Sequence, residues 1–167
     1  IFGNEPVKNM GRYIYRTYIG KGEHYINFSS AGPKIGHDGG HMFRFGRAIN
    51  DPVMEAFGAF LLKASNFGEE AVIGGISTSL ENLFNLEGWQ QFSPVEPFLA
   101  EFYFPDSQVA LARDKGGSAD GFYFAAWGGD NGGGHNHNDN GSFILYFDGN
   151  PVLMDVGRQG VGTEMHN

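Results

Sequence analysis

The sequence predicts an α+β chain in two parts, a helical portion over residues 1–97 and an antiparallel sheet over residues 98–167. Three observations carry this reading. Apolar residues recur at three- and four-residue steps in the first part and at every second residue after Phe98. Pro94 and Pro97 mark a linker where the period changes. Glycine, at 27 of 167 residues, is about twice its ordinary share of about 7%, and phenylalanine, at 16, is also abundant. That mixture suits sheets with tight turns and shaped loops better than a helical bundle.

The elements follow in order. Val7, Met10, Tyr13, Ile14 and Tyr18 share one face of a helix predicted from Pro6 to Ile19, which Gly20 stops. Residues 29–41 have no period and read as a loop. His41 to Ile49 forms a short helix, and Asp51 with Pro52 gives the cap and first turn of a second one from Val53 to Ala64. A weaker helical segment runs from Leu80 to Phe84. Four strands follow, at Val109 and Leu111, at Phe122, Phe124 and Ala126, at Phe143 to Phe147, and at Val152 to Val156. Asp-Lys-Gly-Gly, a glycine-rich run from Gly128 to Gly134, and Asp148-Gly149-Asn150 divide them. No repeat of fixed period is present. A sheet that starts so late has few residues left to cover it, so both parts read as pieces of something larger.

Composition excludes several classes. With 41% hydrophobic and 18% charged residues the chain is globular rather than disordered. Its net charge of −8 argues against nucleic acid and anionic membranes as partners. No apolar run reaches the roughly 20 residues that span a bilayer. Ile1 to Pro6 has neither a basic start nor an apolar stretch, so no signal peptide is read there, although a mature or truncated secreted protein has the same appearance. The lack of cysteine removes disulfides and thiolate metal sites.

Chemistry concentrates between Gly132 and Gly157. His135 and His137 leave the glycine-rich run just before a strand, and Asp155 closes the next apolar run. Imidazole and carboxylate are ordinary ligands of zinc and related divalent ions, and a histidine beside such a site is a usual general base. Asp148-Gly149 predicts a two-residue hairpin in which Phe147 faces Asn150 and Ser142 faces Asp155. That register brings Asp155 close to His137. A carboxylate after Pro151-Val152-Leu153-Met154 is expected to be buried, and an unpaired buried carboxylate needs a cation or a dense set of donors. Two histidines two apart on a straight strand are about 7 Å apart on one face, too far to share an ion unless they converge. In a loop they diverge, one inward to a metal and one outward to a cleft. The bland alternative makes both histidines exposed loop residues and Asp155 a turn cap.

At these residues the sequence resembles the heparinase II/III family of polysaccharide lyases. The similarity runs from Ala112-Arg113-Asp114-Lys115 through Gly121-Phe122-Tyr123 and His135-Asn136-His137-Asn138-Asp139 to Pro151-Val152-Leu153-Met154-Asp155-Val156-Gly157. Asn9 to Leu62 also resembles the late helical part of such proteins, with weaker motifs. The resemblance implies the end of an incomplete α/α toroid followed by an antiparallel β-sandwich. It implies His135 as the catalytic residue, with His137 and Asp155 as ligands of a structural zinc. A third zinc histidine is expected further on, where His166 stands. The family's catalytic tyrosine and its assisting toroid residue lie upstream of this stretch, so Tyr13, Tyr15, Tyr18 and His24 receive no such role. The piece alone is expected to be inactive. The implied reaction is β-elimination at a uronic acid, the implied partner an anionic uronate-containing polysaccharide, the compartment periplasmic or extracellular, and a homodimer a compatible assembly.

Two other classes stay open. His135-Asn136-His137-Asn138-Asp139 resembles the start of the metallo-β-lactamase motif, in which zinc-bound water attacks a carbonyl or phosphate. That motif has a histidine where Asn140 stands, and it precedes a helix whereas Gly141-Ser142 opens a strand. A cupin would need a glutamate shortly after His137, and none is there. A non-catalytic, metal-stabilised β-domain that binds carbohydrate is the third reading. Elsewhere, His37 and His41 around Asp38-Gly39-Gly40 form either a second site or a surface loop. His24 reads as structural, and Lys34, Arg44 and Arg47 as a solvated face or an anion contact. Trp89, Trp127 and Tyr123 are candidates for stacking on sugar rings, with core packing the reading for Trp127.

Overall fold

The computed structural model describes residues 1–20, 24–28, 31–34, 38–64, 80, 83–84, 86–129, 132 and 140–155. Its class is α+β. The chain forms two compact units, one of Ile1–Arg16 with Gly36–Pro97 and one of Thr17–Ile35 with Phe98–Asn167. The segment Thr17–Ile35, grouped with the helices by the sequence reading of residues 1–97, therefore belongs to the sheet unit.

In the helical unit, α1 (Glu5–Arg16) ends before Tyr18, three residues short of the expected Ile19. The next helix, α2 (Gly39–Ile49), starts earlier than its apolar pattern because the Asp38 carboxylate accepts the N–H groups of Gly40 and His41. It ends at Asn50, whose left-handed φ of 57° lets the Asn50 and Asp51 N–H groups reach the carbonyls of Arg47 and Gly46. Directly after it, α3 (Pro52–Ala64) begins where Asp51 and Pro52 predicted, with the Asp51 carboxylate accepting from Met54 N–H at 3.1 Å. The two helices run antiparallel with backbones nearly touching, and a side chain at Gly58 would collide with the main chain of Phe43. Phe43, Ala59, Leu62 and Trp89, the last from the short α4 (Leu86–Gln90), form the unit's core. The weak segment after Leu80 is helical at residues 80, 83 and 84. No helix among the described residues is long and apolar enough to cross a membrane.

In the sheet unit, five antiparallel strands among the described residues follow chain order, β3 (Glu101–Phe104), β4 (Val109–Arg113), β5 (Phe122–Trp127), β6 (Phe143–Phe147) and β7 (Asn150–Leu153). Sequence reading missed β3, which has only four residues before the turn at Pro105. A two-stranded ribbon of β1 (Tyr18–Gly20) and β2 (His24–Tyr25) packs on one sheet face. Tyr18 and Ile19 are strand residues rather than the end of α1, because both are fully buried in this unit. Ile19 and Ile26 join Val109, Leu111, Tyr123, Ala125, Ile144 and Tyr146 in one core. Arg113 ties ribbon to sheet. Its guanidinium lies 5.0 Å from the Phe98 ring centre and 4.5 Å from that of Tyr123, and donates to the Tyr18 carbonyl at 2.7 Å. The other face is exposed and aromatic, with Phe122 and Phe147 paired across strands at 4.8 Å between ring centres.

Asp51 is the polar hub of the helical unit. Buried itself, it accepts from Arg12 Nε at 2.8 Å and from the Tyr15 hydroxyl at 3.4 Å while capping α3. The bond to Asp51 is the main reason that the Arg12 guanidinium titrates above its ordinary value. Replacing Asp51 by alanine removes a helix cap and leaves Arg12 without this carboxylate, so Asp51→Ala should cost about 2–3 kcal/mol, read as a lowered denaturation midpoint.

Candidate functional site

The candidate site grows from the β5–β6–β7 sheet edge. The β6–β7 turn has the predicted two-residue form: Asp148 and Gly149 have φ of 49° and 72°, the left-handed pair that matches strand twist. Phe147 pairs with Asn150, as the turn dictates. The expected pairing of Ser142 with Asp155 does not form. One extra residue enters β7, so Leu145 pairs with Leu153, and the ladder ends there. Asp155 lies two residues beyond that last pair. Because β6 runs from Phe143 to the turn and β7 runs back, Asp155 stands at the end of the sheet from which the β5–β6 connection departs.

That connection is closed tightly at its base. Trp127 N–H donates to the Ser142 carbonyl and Gly141 N–H to the Trp127 carbonyl, each at 2.9 Å. Gly128 N–H donates to the Gln108 carbonyl at 2.7 Å. Gly129 and Gly141 both hold positive φ, 56° and 85°, and a side chain at Gly129 would meet Trp127 and the Asn140 amide. His135 and His137, which this connection carries, and His166, beyond β7, lie outside the described residues. Of the four residues assigned from sequence, Asp155 is the one described.

Asp155 is half-buried. Its main-chain carbonyl accepts from the side-chain amide of Asn27 at 2.9 Å, a contact spanning 128 positions. Asn27 is fully buried, just after β2. Nothing in the sequence linked it to Asp155; its signal is a lone amide inside Tyr25-Ile26-Asn27-Phe28. A half-buried carboxylate on a fixed backbone suits a zinc ligand. Among the described residues, no three His, Cys, Asp or Glu side chains gather as a metal site.

The remaining candidates have structural surroundings. The His24 ring is tilted against Tyr146 with centres 5.6 Å apart, and His24 bridges to Lys34. His41 sits on the first turn of α2 with Nδ1 2.8 Å from Asp38; His37 lies outside the described residues. Arg47 lies over the Phe43 ring. Trp89 and Tyr123 are buried, and Trp127 stacks on Phe28, so packing accounts for all three. The strand β6 directly follows the histidine connection, where the metallo-β-lactamase arrangement has a helix.

Residues 102–167 match the family model described as Heparinase II/III-like, C-terminal. No curated protein matches the chain.

Tyr146 lies on the covered face beneath His24, fully buried, and its hydroxyl has no hydrogen-bond partner among the described residues. Burial raises its pKa above the ordinary phenol value. The neutral form thus contributes stability that is complete below the pKa of an unfolded tyrosine and is lost as pH rises through the higher folded value. Tyr146→Phe should leave neutral-pH stability unchanged or raise it by up to about 1 kcal/mol, since it removes an unsatisfied buried hydroxyl. It should also retain more of that stability in alkaline solution, as followed by thermal melts across pH.

Proposed function

We propose that this chain, whose residues 102–167 form a heparinase II/III-like C-terminal domain, is part of a polysaccharide lyase acting on uronate-containing polymers. The family match carries the reading. The position of Asp155, at the sheet end from which the histidine-bearing connection leaves, supports it.

β-Elimination sets the demands. The proton at C5 of the uronate is acidified by the neighbouring carboxylate, whose developing charge needs a donor. A base takes that proton, the C4–O4 bond breaks as the C4–C5 double bond forms, and an acid protonates the departing O4. His135 would serve as that base or as the donor to the carboxylate, depending on the epimer. His137 and Asp155, with His166, would hold zinc. The ion's contribution is structural, fixing the loop so that His135 is presented in one orientation. A polymeric substrate of this kind implies a periplasmic or secreted location.

In the full-length protein, His135→Ala should reduce formation of unsaturated uronate by about 100- to 10,000-fold, read by its ultraviolet absorbance, without altering zinc content. His137→Ala should instead lower zinc content and thermal midpoint. A screen against heparan sulfate, hyaluronan, alginate and gellan-type polymers identifies the substrate. Binding of a polymer with no elimination by the wild-type protein would instead identify a non-catalytic carbohydrate-binding domain.

A further inference from the structure

We draw no further inference here: the strongest candidate, the exposed apolar face of the five-stranded sheet that carries Tyr103, Phe122, Phe124, Phe143 and Phe147, supports none because nothing among the described residues shows what covers it.

Discussion

The two-residue turn at Asp148-Gly149 is the constraint on which the sheet unit depends. Its left-handed backbone fixes Phe147 opposite Asn150, and strand alternation then sends Ile144 and Tyr146 into the core and Phe143 and Phe147 outward. The turn is also anchored from outside. Gly121 N–H donates to the Asp148 carboxylate at 2.7 Å, and Asp148 N–H returns a bond to the Gly121 carbonyl at 2.9 Å. This reciprocal pair sets β6 against the start of β5, so both ends of the glycine-rich connection are fixed before that connection begins.

A second layer of constraint comes from a segment remote in sequence. The ribbon of β1 and β2 supplies Ile19 and Ile26 to the covered face, which would otherwise expose Val109, Leu111, Ile144 and their neighbours. Arg113 holds the ribbon by a cation between two rings and a bond to its backbone. Asn27 then extends the same ribbon to Asp155. Sheet, ribbon and candidate ligand are thus one packed body.

Much of this was legible in sequence where one local signal dominates. Asp51-Pro52 marked the start of α3 because capping and a fixed proline φ act within a single turn. Asp148-Gly149 marked the hairpin for the same reason. Tyr18 and Ile19 read as helix because the four-residue step from Ile14 to Tyr18 continues the period of α1, while their burial is decided by a sheet about 90 positions away. β3 was missed because four residues give too short an alternation to detect. For the site, the sequence assigned Asp155 but carried no sign of Asn27, since a contact across 128 positions leaves no local pattern.

The irregularity in β7 separates Asp155 from the β6–β7 ladder. Had the register set by the turn continued, Asp155 would face Ser142 and its backbone would be held by β6. Instead Pro151, which has no N–H to give, sits opposite Tyr146 in the last strand of the sheet among the described residues, and the extra residue that follows shifts the pairing by one. A one-residue shift in a strand exchanges its two faces for everything downstream. The bulge therefore comes just before Met154 and Asp155, which lie beyond the last β6–β7 pair. Asp155 leaves the ladder in this way, and the side-chain amide of Asn27, from the buried ribbon, donates to its main-chain carbonyl at 2.9 Å.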